Sequence, residues 1–320
     1  MRGPELVGGV VVRHLVGAEE VALFCGLPYG LNHELADDLA AGRRRVEWMW
    51  VALGGDGRVL ARVAWWAPRA GEAPVLLDIL DVDDAAEGVD RVGVAAALYD
   101  VAAKAVLGDG APVGYVRFVE PGWRAEPAVR RGVEERMAVL ERAGARLMVE
   151  RLRLDWTPEA GTREPDGRLE FRAVRDDAEL IGMMTEVLDG TLDAHSLADL
   201  ETMTAREAAE AQFRDEFAAY TTPREWWRVA TLPGSGEPVG FVVAARNSYN
   251  PILAYIGVLP AFRGRGYVDE VVAEGVRVLA AQDDVPRIRA STDLGNVPMA
   301  AAFERAGFRA FEHALHMAWE

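Results

Sequence analysis

The residues that invite chemistry lie in one stretch, VLPAFRGRGYVDEVV, from Val258 to Val272. Arg263, Gly264, Arg265 and Gly266 stand between an apolar run and a segment of helical spacing that starts near Tyr267. Two glycines let the backbone turn its N–H groups inward as a nest. A helix start adds four unpaired N–H groups and a partial positive charge. That combination binds anions, and two linked phosphates suit it. Arg263 and Arg265 are expected to reach further phosphate oxygens as forks. No Lys-Ser/Thr follows, as a P-loop needs, and Gly264-x-Gly266 lacks the third glycine of a dinucleotide fingerprint. Taken alone, the stretch also reads as a charged turn with a glycine cap.

The rest of the composition narrows the field. The 320 residues carry 51 acidic against 35 basic side chains, a formal charge of -16. Such a field repels phosphate polymers and favours cationic ligands, so nucleic acid is not expected as a partner. Half the residues are hydrophobic, which provides material for two cores. No apolar run approaches the length of a membrane span, and the opening MRGPELVGGVVVRHLVGAEE is charged too soon for a secretory signal. A cytoplasmic protein is expected. The one cysteine, Cys25, lies in the apolar run VALFCGL and reads as a buried structural thiol. His313 and His316 are three apart, so on a strand they face opposite ways and form no metal pair; no metal is expected.

The elements that would position the loop form a repeat. ERAGARLMVERLRLDW (Glu141 to Trp156) and ERAGFRAFEHALHMAWE (Glu304 to Glu320) share Glu, Arg, Ala, Gly, then Arg, Leu and Trp in register. Upstream, the stretches from Trp50 and from Trp227 each read as strand, Gly-rich turn, strand. One fold duplicated is the simplest account. The joint is TPEAGTREPDGR, polar and rich in proline and glycine. The expected division is 1–157, a linker at 158–168, and 169–320. The second half reads as strand (Leu169 to Val174), two helices, a hairpin about Pro233 to Glu237, a strand from Pro251 to Val258, a helix from Tyr267 to Gln282, a strand from Arg287 to Thr292, a helix ending at Gly307, and a final strand pair. The class is α+β.

IGVLPAFRGRGYV, followed by TDLGNVPMAAAFERAGFR (Thr292 to Arg309), resembles the Gcn5-related N-acetyltransferase (GNAT) superfamily. Its motif Arg/Gln-x-x-Gly-x-Gly/Ala falls here on Arg263, Gly264, Arg265, Gly266, Tyr267 and Val268, with valine where the family has a small residue. Two tandem copies in this length are similar in layout to mycothiol synthases. The resemblance implies a tandem pair of domains, each a mixed, mostly antiparallel sheet flanked by helices. It implies acetyl-CoA as cosubstrate, its arm lying between splayed fourth and fifth strands along Ile256, Gly257 and Val258. A backbone N–H near Val258 would polarise the thioester carbonyl. Asn296 matches the asparagine that opens the next helix and contacts the cofactor arm. Phe303 stands where many members have a tyrosine that protonates the leaving thiolate, and phenylalanine cannot donate. Tyr255 is then the nearest phenol in sequence order. The fourth strand has no carboxylate to act as base; Glu225, His313, His316 and Glu320 lie on neighbouring strands.

The first half lacks the loop. After its own fourth strand, PVLLDILDV, stands DDAAEGVDRVGV, with Asp83, Asp84, Glu87 and Asp90 where the second half has arginines. Carboxylates there repel a diphosphate, so this copy is expected not to bind CoA. Trp48, Trp50, Trp65 and Trp66 are expected to pack the sheet or line an acceptor wall. The sequence therefore points to an enzyme, a monomer or homodimer, moving an acetyl group to the amine of a small molecule by direct attack. The alternative is a catalytically weak acyl-CoA sensor. The segment Leu188 to Glu201, with Asp189, Asp193, Asp199 and Glu201, is expected to form a loop over a cationic acceptor.

Overall fold

The computed structural model describes residues 5–7, 9–164 and 166–319. It divides into two compact units, one running up to Val149 and resuming at Ala314, the other spanning Glu150–His313. The first contains β1 (Glu5–Val7), β2 (Val10–His14), α1 (Val21–Phe24), α2 (Leu35–Ala40), β3 (Met49–Leu53), β4 (Val59–Trp66), β5 (Leu76–Val82), α3 (Arg91–Leu107), β6 (Gly114–Val119), α4 (Pro127–Arg142) and the start of β7 (Ala145–Trp156). The second contains the rest of β7, then β8 (Glu170–Ala173), α5 (Asp177–Val187), α6 (Ala194–Leu200), α7 (Ala205–Asp215), β9 (Trp227–Thr231), β10 (Pro238–Arg246), β11 (Pro251–Val258), α8 (Tyr267–Ala280), β12 (Ile288–Asp293), α9 (Val297–Arg305) and the start of β13 (Arg309–Trp319).

Each unit repeats one plan. In the first, β1 to β6 lie side by side in sequence order, antiparallel except that β5 and β6 run parallel. In the second the order is β7-β12-β11-β10-β9-β8, antiparallel except for β11 beside β12. Helices cover both faces. In the second unit, Val242, Ala244, Leu253, Ile288 and Ala290 pack under α8 and α9, while Phe241, Val243 and Val229 pack under α5 and α7. Alternation along each strand makes this division. Trp48, Trp50 and Trp65 are core residues of the first unit, as packing requires, and Cys25 is half-buried with its thiol pKa pushed up by burial.

The expected division at 157 and 169 differs from these units at one strand in each half. Residues Arg151 to Trp156 pair with Asp293 to Ile288 and so belong to the second unit. Conversely, Met317 packs in the first core, Trp319 stacks on Tyr99 with centroids 6.2 Å apart, and its Nε1 donates to Ala143 O. The two strands of the repeat, Trp156 and Trp319 included, have thus exchanged units. Two further expectations change. The chain ends in one long strand, β13, rather than a pair, and the expected loop over 188–201 contains α6, whose start Asp193 caps by accepting from the Ser196 N–H.

Candidate functional site

The second unit opens between β11 and β12. Their pairing among the described residues is confined to Ile252 and Arg289, so the strands separate toward Val258 and Asp293. Leu259 N–H bonds back to Val239 O. In an antiparallel ladder such bonds alternate, which turns the N–H groups of Ile256 and Val258 away from β10 and into the opening. A register shift between Val243 and Ala244 leaves Ala254 as an extra residue on β11, the local twist a bulge brings beside a site. Gly257 is pressed from the other face: a Cβ there would stand 2.8 Å from Phe241 Cε1 and 2.9 Å from Val187 Cγ1.

Beyond the opening, Gly264 and Gly266 hold φ of +75° and +74°, a region that L-residues with a Cβ rarely enter. Gly266 is the N-cap of α8 and no side chain caps the helix, so its first N–H groups await a partner. The loop is held from behind by Arg168, which donates to Arg265 O and Gly266 O and pairs with Glu270 at 2.9 Å. Tyr267 packs edge-on to Phe262 beneath this arginine, and Val268 is half-buried against the second core. A cradle of two glycines and an uncapped helix fits a diphosphate.

The arginines act differently from the expectation. Arg263 does not fork outward: Nε donates to Val258 O at 3.0 Å and Nη2 to Val187 O at 2.7 Å, while Nη1 donates to Asp189 O. It staples the end of α5 to the end of β11, because those orphan helix carbonyls need donors. Arg265 is exposed and uses one N–H on Ala261 O, which leaves most of its guanidinium facing solvent. Asn296 caps α9 through its Oδ1, which accepts from the Met299 N–H at 3.4 Å. Phe303 is 2% exposed and packs edge-on to Phe308 at 5.0 Å in the core, so it lines the core rather than the opening.

A polar cluster sits on the α5–α7 face of the same opening. Arg151 on β7 donates to Asp193 at 3.2 Å and forms an ion pair with Asp293 at 3.0 Å, and Asp293 also accepts from Ala194 N–H at 2.6 Å. These contacts dock the first turn of α6 against the middle of β7 and the end of β12. His195 follows, facing Arg151, Asp193, Asp293 and Asp199; burial first, then Arg151, holds its pKa below the ordinary imidazole value against the three carboxylates. Burial raises Asp293 and Asp199. Tyr255 stacks on Phe241 with centroids 5.4 Å apart, and its phenol is pushed up by burial and then by Asp193. Next to it, Phe217 meets both Tyr255 and Tyr220, and Tyr220 donates to Glu216 at 2.6 Å. Glu216 keeps contact with solvent, and partial burial raises its pKa.

The other candidates fall away from this cluster. Glu225 is exposed on the turn before β9, with β10 standing between β9 and β11. His313 pairs with Glu150 at 2.7 Å, His316 belongs to the first unit, and Glu320 lies outside the described residues. His195, Arg151 and Asp293 were not singled out in the sequence. The one local signal was Asp193-x-x-Ser196, a helix-cap pattern that would have turned the supposed loop into a helix carrying a histidine. Among the described residues, no three His, Cys, Asp or Glu are grouped to hold a metal ion, and no helix is long and apolar enough to cross a membrane.

The corresponding opening in the first unit is filled from within. β5 and β6 pair only at Leu76–Gly114 and Leu77–Tyr115. Beyond that point Arg117 on β6 donates to Asp81 Oδ1 at 3.0 Å and to Leu80 O on β5. Arg62 and Arg136 complete the shell round Asp81, and Arg117 lies 4.6 Å over the Tyr29 ring. Burial alone would raise the Asp81 carboxyl, but Arg117, Arg62 and Arg136 together hold its pKa down. The start of α3 is capped by Asp90, whose carboxylate accepts from the Gly93 N–H. Asp83 pairs with Arg58 and Asp84 with Arg136.

Residues 168–309 match the family model for the acetyltransferase (GNAT) domain. Among solved structures, a GCN5-related N-acetyltransferase from Sphaerobacter thermophilus is similar at 14% identity and TM-score 0.57, covering 98% of this chain and 96% of its own. A tandem GNAT protein from the clavulanic acid biosynthesis pathway, solved without AcCoA, is similar at 16% identity and TM-score 0.51, covering 97% and 98%. A GCN5-related glucosamine N-acetyltransferase region of a fungal multi-domain GH3 β-N-acetylglucosaminidase gives 13% identity and TM-score 0.53, covering 98% of this chain and 38% of that one. No curated protein matches the sequence.

Proposed function

We propose that this chain, whose residues 168–309 belong to the acetyltransferase (GNAT) family, moves an acetyl group from acetyl-CoA to the amine of a small molecule by direct attack. Residues 168–309 are a GNAT-type N-acetyltransferase domain, and acyl transfer from acyl-CoA is what that family does. The observation that supports the finer reading is the opening itself: among the described residues β11 and β12 pair only at Ile252 and Arg289, and α8 beyond them starts without a side-chain cap. Ile256, Gly257 and Val258 would line the cofactor arm, Gly264 to Val268 would hold the diphosphate, and Asn296 would face the arm from the start of α9.

Each residue then has a physical task. The Val258 N–H polarises the thioester carbonyl, and one well-placed donor of this kind is worth about 3 kcal/mol. Its neighbour Arg263 fixes the Val258 carbonyl and so the tilt of that peptide. Tyr255 keeps its proton at working pH because burial raises its pKa, and a protonated phenol can supply the departing sulfur; with Phe303 in the core, it is the phenol closest to that task on β11. Asp199, Glu216 and the faces of Tyr220 and Phe217 favour a cation, so the acceptor is a cationic amine. The first unit, its opening filled, holds no CoA and serves as scaffold. The enzyme works in the cytoplasm.

The test is release of CoA thiol from acetyl-CoA across spermidine, tyramine, glucosamine and a set of α-amino acids, with products identified by mass. Amide formation with a cationic amine is the expected result. Acetyl-CoA binding with no thiol release from any of them would replace the enzyme with a sensor.

A further inference from the structure

We propose that His195 is the general base of this site, taking the proton from the acceptor's ammonium at the mouth of the β11–β12 opening. The inference rests on the acyl-transfer reading and supplies the group which that reading lacks, since β11 bears no carboxylate and Glu225 is elsewhere.

Three contacts place the start of α6, and with it the backbone of His195. Asp193 caps α6, Ala194 N–H binds Asp293, and Arg151 joins Asp193 to Asp293. The helix start therefore cannot slide relative to β7 and β12, and His195 is the next residue. Two of its charged neighbours reach the strands that bound the opening. Asp293 ends β12, and Asp193 is close enough to Tyr255 on β11 to raise that phenol's pKa. The groups facing the ring are Arg151 from β7, Asp193 and Asp199 from α6, and Asp293 from β12. The second unit's other histidine, His313, is held by Glu150.

The environment suits a base that must be neutral before reaction and cationic after it. Burial and Arg151 favour the neutral ring at rest, whereas three carboxylates stand ready to stabilise the imidazolium. In the step, an imidazole nitrogen takes one proton from the ammonium and the freed lone pair forms the C–N bond at the thioester carbon. The C–S bond breaks with its electron pair leaving on sulfur. The second N–H proton passes to that thiolate, by way of Tyr255 or water, and the imidazolium returns its proton to solvent. Acetyl amide, CoA thiol and one proton balance the reaction.

The experiment compares wild type with His195→Gln and His195→Ala, using whichever amine of the panel above releases thiol fastest. Wild-type kcat/KM for the amine should fall as pH drops through a value below about 6.5, the ordinary imidazole pKa. Both variants should lose that inflection and lose roughly 100-fold or more in kcat at pH 7. The deficit should shrink as rising pH deprotonates the amine unaided, and CoA affinity by calorimetry should stay unchanged. In the ligand-free protein, one imidazole C2-proton signal, missing from both variants, should titrate below that same value. A variant that keeps the wild-type profile and rate overturns His195 while leaving acyl transfer intact. Absence of thiol release by the wild type itself overturns the transfer reading and this inference with it.

Discussion

Two openings built on one plan, between β5 and β6 in the first unit and between β11 and β12 in the second, differ in what fills them. In the first, Asp81 and Arg117 reach across and close the gap with a buried ion cluster, and the helix beyond is capped by Asp90. In the second, the strand edge past Ile252 is unpaired by β12, and the helix beyond starts at a bare glycine. Both devices satisfy the same physical demand, since splayed strands and a helix start leave polar groups that need partners. One unit meets the demand with its own side chains. The other, in the function proposed above, leaves it for a ligand. On that reading, a few side chains at the opening decide whether a fold of this kind binds, while the sheet stays the same.

The largest effect expected from breaking that comparison is on stability. Asp81→Ala leaves Arg62, Arg117 and Arg136 enclosed without their shared carboxylate, and removing one partner of a buried charge cluster costs about 3–5 kcal/mol. The urea midpoint of the first unit should fall accordingly, while acetyl-CoA affinity of the second stays near wild type. The Asp81 pKa is held low, so its contribution is present above the unfolded carboxylate value, about 3.9, and is lost as pH falls through the folded value beneath it. A loss of CoA binding that matches the loss of stability would show that the cluster does more than fill the first opening.

Next comes the loop. Gly264→Val forces a β-branched residue to φ near +75°, and strain of about 1–3 kcal/mol together with a distorted nest should weaken acetyl-CoA binding by roughly 100-fold. Gly88→Val, at a similar φ of +70° in the first unit's loop, should leave CoA affinity unchanged. Calorimetry on both variants decides it. Equal weakening by the two would mean that both openings take the cofactor.

How much of this was legible depended on range. The loop was readable because its glycines, arginines and helix start are consecutive, and the duplication because Trp156 and Trp319 end matching segments. The acidic first-half loop read as a stretch that repels a diphosphate, and nothing near it in sequence showed that Asp83 would pair with Arg58 and Asp84 with Arg136. What stayed hidden was choice of partner. Nothing near Arg263 says that it will bind carbonyls of Val187 and Asp189, more than seventy residues away. Either unit's core can accept a strand ending in tryptophan, so the exchange of β7 and β13 is set by tertiary packing. α6 is too short for periodicity to outweigh its polar composition, and its histidine gains meaning only from Arg151 and Asp293 on two distant strands.

The smallest expected effect sharpens the comparison on the proposed acceptor side of the second unit. Of the carboxylates in 188–201, Asp193 caps α6 and pairs with Arg151, so its loss would disturb the fold. Asp199 is exposed and takes part in neither contact. Asp199→Asn therefore isolates charge from structure. If a cationic amine is drawn to this side, its KM should rise about 2- to 5-fold in 10 mM salt, where exposed charges act over roughly 30 Å, and by little at 1 M, where they act over about 3 Å. The KM for acetyl-CoA should not move at either salt, because the diphosphate cradle at Gly264 to Val268 is a separate contact. A uniform rise at both salts would mean that Asp199 bonds the acceptor directly, and an acceptor KM indifferent to both charge and salt would show that this acidic side does not select the amine.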